Sequence, residues 1–327
     1  MDDQTVLQLS SACALCGQNH KHLLFEAVDY ISREKFALLR CETCGLIETA
    51  PRPSGEALGH YYPDAYFGSE EQRFIGLGQR LFRQGRLQLA ERIHAQHKQP
   101  GRALDIGCGP GWMLQRLHQH GWDCYGTEWS QELANRLNEM GLHVYRELDV
   151  RNCSFAEQSF DVVTLWHVFE HISNPSETLD EIHRILKPGG LLIIATPDIG
   201  GAVAPFTRDN WFALDVPRHL YHYSYRTLPE IMTRHGFKVI RRHDLSMEQD
   251  VFGMAQSLMN KAGFRFNRFY MAIRHQSAQA AGAQRETIIQ KISFIAAALA
   301  TTALSVPGAP LLSVVKRGGT IEVWAQR

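Results

Sequence analysis

The chain has no surplus of charge of either sign: 34 Lys and Arg offset 34 Asp and Glu across 327 residues. A general nucleic-acid binder needs excess positive charge to displace counterions, so the balance argues against that class. The first ten residues, MDDQTVLQLS, lack an apolar run, so no secretory signal is expected and a cytoplasmic location is the default expectation. In a reducing compartment, the seven cysteines are expected as metal ligands or buried thiols rather than disulfides. Two further absences are local. From 261 to 317 the only acid is Glu286, against eight Lys or Arg, which leaves that stretch at +7 and the remainder at −7. Within it, 292–315 runs 24 residues without a charge.

Four of the cysteines are paired. Cys13 and Cys16 stand in CALCG, and Cys41 and Cys44 in CETCG, giving C-x2-C-x24-C-x2-C. Each C-x-x-C turn presents two thiolates from one tight loop, and zinc takes four in a tetrahedron. The stretches HLLFEAVDY and KFALLRC between the pairs read as short strands, so residues 1–50 are expected to form a zinc ribbon. No ligand position is left open, which makes the expected Zn2+ structural. Cys108, Cys124 and Cys153 are scattered and read as small buried side chains.

Residues 51–100 combine turn residues, the aromatic HYYPDAYF and a helix-like run at 81–97, as a connector packed on the next domain would. GRALDIGCGPGWMLQRL follows. An apolar strand leads into Gly107, Gly109 and Gly111, and a helix begins at 112; glycines at such a turn let a ligand approach the backbone closely. Glu128 lies 17 residues beyond Gly111 at the end of a second strand, where a carboxylate can accept hydrogen bonds from ribose hydroxyls. Dinucleotide folds use G-x-G-x-x-G with a small third residue. Here the third glycine comes early and Trp112 occupies the small position, which disfavours a pyrophosphate and suits a cofactor with one ribose. Strand-like and helix-like runs then alternate from GLHVYRELDV to TLPEIMTRHGFKVIRRHDL. That alternation predicts a doubly wound, mainly parallel α/β sheet.

In order along the chain, ALDIGCGPG, GTEWS, FDVVTLWHVFEHISNP and EIHRILKPGGLLIIATPD resemble the successive motifs of class I S-adenosylmethionine-dependent methyltransferases. The resemblance covers about 101–245, with a last strand at 320–326. A zinc ribbon ahead of such a domain, with NWFALDVPRHLYHYS after its fifth strand, is similar to a bacterial subgroup linked to polysaccharide, lipid or natural-product biosynthesis. The resemblance implies a seven-stranded Rossmann-like sheet, S-adenosylmethionine as cofactor, and a small-molecule, sugar or lipid-linked acceptor. It also implies roles for single residues. Asp105 and the backbone of Gly107, Gly109 and Gly111 would lie against the methionine part of the cofactor. Glu128 would bind its ribose and Trp129 would stack on adenine. Asp149 would take the adenine amino group with Val150 beside it, and Trp166 and His167 would border the sulfonium.

WHVFEH at 166–171 contains H-x-x-E-H, the pattern of one class of zinc peptidases. That chemistry needs both histidines on one helix. The apolar run 162–166 leads straight into His167, so the first histidine is expected at a strand end, and metal is expected at the cysteines instead. For methyl transfer, His167, Glu170 and His171 are candidates for removing a proton from a hydroxyl or carbon acceptor, with loop organisation the plainer role for Glu170 and His171. His219 is the rival base, since it follows the fifth strand at the carboxyl edge where open α/β sheets bind ligands. Trp211, Arg218 and Tyr221 share its segment and are expected to line an acceptor pocket, with Arg218 suited to an anionic group or to a structural salt bridge.

The uncharged 292–315 is long enough to span a membrane. Pro307, Gly308 and Pro310 are expected to interrupt a helix, and basic residues on both flanks (Arg285 and Lys291, Lys316 and Arg317) disfavour a crossing. Two expectations remain: a buried helical hairpin serving as a lid or dimer interface, or an interfacial helix. Upstream, KAGFRFNRFYMAIRH interleaves cations with aromatics, which favours peripheral membrane contact through 261–317. The expected layout is a ribbon at 1–50, a connector at 51–100, a cofactor-binding domain at 101–247, a helical insertion at 248–318 and a closing strand at 319–327. Two other functions stay open: an RNA methyltransferase docking through its ribbon, and a non-catalytic cofactor-binding module. The sequence sets no oligomeric state.

Overall fold

A computed structural model describes residues 12–53, 55–62, 77–97, 99–244, 246–264, 266–273 and 287–327. Strands β1 (Lys21–Val28), β2 (Lys35–Cys41) and β3 (Ile47–Ala50) come first, followed by helices α1 (Gly55–His60) and α2 (Leu77–Gln96). Then come β4 (Arg102–Ile106), α3 (Trp112–Gln119), β5 (Asp123–Thr127), α4 (Gln131–Glu139), β6 (His143–Tyr145), β7 (Phe160–Trp166), α5 (Pro175–Ile185) and β8 (Leu186–Pro197). The chain continues through α6 (Val203–Thr207), β9 (Tyr221–His222), α7 (Thr227–Arg234) and β10 (Lys238–His243). It ends with α8 (Met247–Lys261), α9 (Arg268–Ile273), α10 (Ile288–Val314) and β11 (Thr320–Gln326).

Seven strands form the main sheet in the order β10-β11-β8-β7-β4-β5-β6, with β11 antiparallel to both neighbours and the β8-to-β6 side parallel. The expected doubly wound α/β sheet is therefore present. Its central strands are apolar runs because helices cover both faces: Val162, Val163 and Leu165 of β7 and Leu192 and Ile194 of β8 are fully enclosed. Each crossover helix turns one apolar stripe inward: Met113, Leu114 and Leu117 in α3, and Leu133, Ala134 and Leu137 in α4. Local signals start them, with the Ser130 hydroxyl accepting from the Leu133 N–H and Pro175 opening α5. Strand order reverses at β4, which pairs with β5 on one side and β7 on the other. A crevice opens there beyond the carboxyl ends of the strands.

The cysteine-bearing segment forms a second, antiparallel sheet, β1-β2-β3-β9. Its fourth strand is Tyr221–His222, from the loop after β8, so the N-terminal module and that loop are one hydrogen-bonded unit. A buried ion triad reinforces the joint. Arg218 Nη2 stands 2.7 Å from Asp29 Oδ1 and 2.7 Å from Asp215 Oδ1, while Nη1 donates to the Tyr61 carbonyl at 3.1 Å. Burial alone would raise the Asp215 pKa, but the Arg218 guanidinium holds it down at about 2. The expectation that Arg218 lines an acceptor pocket is corrected: its side chain is wholly enclosed, and its charge serves two protein carboxylates.

The helical insertion between β10 and β11 also differs from expectation. In place of a hairpin, α10 is one helix of 27 residues, opened by a capping box of Thr287 and Gln290 and running through Pro307 and Pro310. Each proline removes one helical donor. The helix still holds there because it leans on α8: Ser305 and Ala309 are buried, and the space beside Gly308 is filled by Met254 of α8. Its other faces are bare, with Ile289 76%, Leu299 69% and Val314 81% exposed. Residues 63–67 of the aromatic run, and the basic positions 265, 274 and 285, lie outside the described residues.

Removing one partner of a buried pair leaves an uncompensated charge. Arg218→Met is therefore expected to cost about 3–5 kcal/mol, seen as a Tm lowered by roughly 10 °C or as loss of soluble protein. A Tm equal to the parent's would show that the triad does not hold the two sheets together.

Candidate functional site

A cavity of about 710 Å³ occupies the crevice at the β4 switch point. At one end lies the turn after β4. All three of its glycines have positive φ, but they serve different purposes. A Cβ on Gly107 would come within 2.6 Å of Val168, and one on Gly111 within 2.5 Å of Leu137, so these two permit close protein packing. A Cβ on Gly109 would meet nothing within 4 Å, so the space before it is open to a ligand. The Gly109 N–H donates to Glu128 Oε2 at 2.8 Å, and the Ser130 N–H donates to Glu128 Oε1 at 3.0 Å. These bonds fix the carboxylate on the cavity wall, beside Trp129, which is 50% exposed with Arg146 over its ring at 5.4 Å.

Asp149 also lines this end, and its carboxylate caps the following turn by accepting from the Arg151 N–H at 3.1 Å. Hydrogen bonds from the Arg151 side chain lower its pKa against the opposing effect of burial. Val150 is buried behind it and does not reach the cavity. Asp105 does not reach it either. Its Oδ1 accepts from the Thr164 hydroxyl at 2.5 Å, and its Oδ2 accepts from Arg86 Nη2 at 2.6 Å. What borders the cavity is Arg86, a residue of α2 that the sequence did not single out. Its guanidinium lies 5.2 Å from the Trp166 ring centre, and its buried Nη1 has no hydrogen-bond partner among the described residues. Only the folded chain shows this role, because the pairing with Asp105 is made in space from a helix with no motif of its own.

Between the two ends stand Trp166 and His167. His167 has φ +55°, unusual for a residue with a Cβ, and is held there by its N–H donating to the Ala195 carbonyl at 2.8 Å. Its Nδ1 is 3.6 Å from Glu170 Oε1, and its buried Nε2 lacks a partner among the described residues. The chain then tightens into a 3-10 turn, Phe169–His171. His167 and His171 therefore do not share a helix, in keeping with the expectation from the strand end.

At the far end, Glu170, His171 and His219 converge, with Tyr62, Phe212 and Phe252 completing the wall. The Glu170 carboxylate is buried, which by itself raises its pKa; His167, His219 and His171 outweigh burial and hold it below the ordinary value. Burial pushes His171 down to about 4, helped by His219, so the ring is neutral near pH 7. Of the residues expected to line an acceptor pocket, His219 does so. Trp211 and Tyr221 do not, and are corrected here: Trp211 packs into the core beside Phe36 and Leu38, and the Tyr221 hydroxyl turns to the Ser173 carbonyl at 3.2 Å. A 3-10 turn at Phe212–Leu214 presents Phe212 and Ala213 to the cavity instead, one position further along.

Away from the cavity, Cys13, Cys16, Cys41 and Cys44 come together with all four Sγ atoms within 4.8 Å of one another. Cys13 faces Cys44 and Cys16 faces Cys41 at 3.5 Å each. Four convergent thiols with no oxygen or nitrogen donor are a donor set that fits a closed zinc site. Cys108 and Cys124 are buried and Cys153 is half-buried, as expected for packing residues.

A model of the methyltransferase domain matches residues 72–242, just over half of the chain. A ubiquinone biosynthesis O-methyltransferase of Methylococcus capsulatus is 32% identical over 111 residues, 32% of this chain and 47% of that protein. One of the same description from Azoarcus sp. is 32% identical over 101 residues, 29% of this chain and 43% of that protein. The chain thus spans less than half the length of these curated relatives. Among solved structures, a SAM dependent methyltransferase from Archaeoglobus fulgidus overlays with a TM-score of 0.47 at 16% identity, covering 75% of this chain and 94% of that one. The family match takes in the glycine turn, Glu128, Glu170 and His219, while Tyr62 and Phe252 of the cavity wall lie outside it; on this match the chain belongs to the methyltransferase-domain family.

Proposed function

We propose that the protein is an S-adenosylmethionine-dependent methyltransferase acting on a hydroxyl oxygen of a small-molecule or lipid-linked acceptor. The observation that carries this reading is one continuous cavity, with a ribose-and-adenine wall at one end and a histidine–carboxylate cluster at the other. Open space before Gly109, the fixed Glu128 carboxylate and the half-exposed Trp129 ring fit a nucleoside with a single ribose. The unpartnered Nη1 of Arg86 fits a carboxylate such as that of a methionine moiety. The bound cofactor supplies an electrophilic methyl on a sulfonium. The protein's part is to align the acceptor oxygen, exclude water and take the hydroxyl proton as the new O–CH3 bond forms. His219 is the residue we assign to that proton; its Nε2 is 3.9 Å from Glu170 Oε1, the oxygen that His167 Nδ1 also faces at 3.6 Å. The curated relatives, whose descriptions name O-methyl transfer, support oxygen as the acceptor atom.

Two further readings accompany it. The four cysteines hold one structural Zn2+, which fixes the module that supplies β1 to β3. The bare faces of α10 rest on a membrane surface, where a lipid-linked acceptor would be met. In support, the helix has a mean hydropathy of 1.6 over its most apolar window, only 17% of which is buried, and Lys291, Lys316 and Arg317 mark its ends. Its C-terminal end is tied to the folded body, because β11 returns to the main sheet, and Ser305 and Ala309 pack inward, which suits a helix lying along a surface.

Calorimetric titration should show S-adenosylmethionine binding to the parent and not to Gly109→Arg, whose side chain fills the open space; a parent that binds NAD and ignores S-adenosylmethionine would sink the assignment. His219→Ala should keep near-parent cofactor affinity and lose at least about a hundredfold in turnover at saturating acceptor. Equal turnover would move the proton to His167. Metal analysis should find zinc at the cysteines in the parent, released in Cys41→Ser with loosening of the N-terminal sheet. Sedimentation with vesicles containing anionic lipid should bring down the protein, and charge substitutions at Ile289, Leu299 and Val314 should leave it in solution; a parent that stays in solution would remove the membrane reading.

A further inference from the structure

The H-x-x-E-H segment is absorbed only in part by methyl transfer. The geometry points to a second metal site: we propose that Glu170, His171 and His219 bind a divalent transition-metal cation of the zinc class, open on the cavity side to an acceptor oxygen. One ligand atom from each of the three lies within 4.8 Å of the other two, and all three residues line the cavity.

Three observations select a cation over a plain hydrogen-bonded cluster. The first is Glu170: both carboxylate oxygens are buried, and neither has a hydrogen-bond partner among the described residues. The nearest imidazole nitrogens stand off at 3.6 Å (His167) and 3.9 Å (His219), beyond hydrogen-bonding range. The carboxylate is thus faced only by imidazoles at longer range, and a cation bonded to it directly would offset its burial more fully.

The second is the protonation pattern of the two imidazoles. His219 Nδ1 is 2.9 Å from the Ala213 carbonyl, and His171 Nδ1 is 2.9 Å from the Arg218 carbonyl. A carbonyl only accepts, so each Nδ1 is the donor (that of His171 also lies 3.0 Å from the Tyr62 hydroxyl), and Nε2 is the nitrogen left for a metal. Metal-binding histidines are held this way, the far N–H anchored on a backbone carbonyl.

The third is the donor set. Two imidazoles and one carboxylate match zinc-like ions, and three protein ligands with a free position match a reactive site rather than a structural one. Bonds of about 2.0–2.2 Å require Glu170 Oε1 and His219 Nε2 to close from 3.9 Å by roughly half an ångström, which side-chain rotation supplies.

What the cation would do rests on the methyl-transfer reading; that it binds does not. A hydroxyl on such an ion becomes far more acidic. Its proton passes to His167, which is outside the ligand set and has an unpartnered Nε2. The oxygen lone pair then forms the bond to the methyl carbon as the carbon–sulfur bond breaks, and the sulfide leaves. With the ion bound, His219 is a ligand and His167 takes the proton that His219 would take in the metal-free site; loss of His219 still removes turnover.

The test uses the full-length, zinc-loaded protein, dialysed against a mild chelator that leaves the thiolate-held zinc in place and then titrated with Co2+. We expect one added cobalt per chain, with visible bands of nitrogen and oxygen ligation and no thiolate charge-transfer band. Glu170→Gln and His219→Ala, each checked by Tm, should weaken that uptake by at least about a hundredfold. No cobalt uptake by the parent, or equal uptake by folded Glu170→Gln and His219→Ala, overturns the site. If S-adenosylmethionine still binds and methyl transfer proceeds in that case, the function stands with His219 as an unaided base.

Discussion

The Arg218 guanidinium, enclosed between Asp29 and Asp215, is the constraint on which the rest of the structure depends. Its three charges come from β1's end, from the loop after β8 and from the arginine's own place just ahead of β9. By holding those together it sets where the loop runs, and the loop carries His219 and Phe212 to the cavity. The Arg218 carbonyl, turned the other way, accepts a hydrogen bond from His171 Nδ1 at 2.9 Å. One residue thus positions the module, the acceptor wall and a ring of the polar cluster without touching the cavity itself. Charges this deeply buried are tolerable only as a complete set, so the assembly is all-or-none.

The opposite wall is built on a different principle. Around Gly109 the backbone faces open space, and the carboxylates beside it are locked by backbone donors: Glu128 by the N–H groups of Gly109 and Ser130, Asp149 by that of Arg151. Carboxylates held this way are oriented before any ligand arrives, so little ordering remains to be done on binding. His167, in the left-handed region between the two walls, is where strained backbone and unpartnered nitrogen coincide.

What could be read from the chain was whatever depends on neighbours in sequence. The glycine turn, Glu128 at a strand end, the paired cysteines and the alternation behind the seven-stranded sheet all have short-range causes, and each stands where spacing placed it. Residues whose orientation is set across the fold escaped. Asp105 looked like a cavity residue but is spent on Arg86 and Thr164, and Arg86 carried no local signal at all. In the loop after β8, chemistry pointed to Trp211, Arg218 and Tyr221, while a 3-10 turn rotated Phe212 and Ala213 inward in their stead. Pro307 and Pro310 suggested a break in α10; packing on α8 outweighed two missing donors.

The seat of α10 has a mechanical consequence. The helix is spliced between neighbouring strands β10 and β11, and around Gly308 it bears on α8, which is pinned to β11 where the Thr320 hydroxyl meets Asp250 Oδ1 at 2.6 Å. The same α8 contributes Gln249 and Phe252 to the cavity wall. The exposed face of α10 and the cavity wall are therefore separated by a single pair of packed helices. Load borne by the C-terminal half of α10 falls on the helix that carries Phe252 into the chamber.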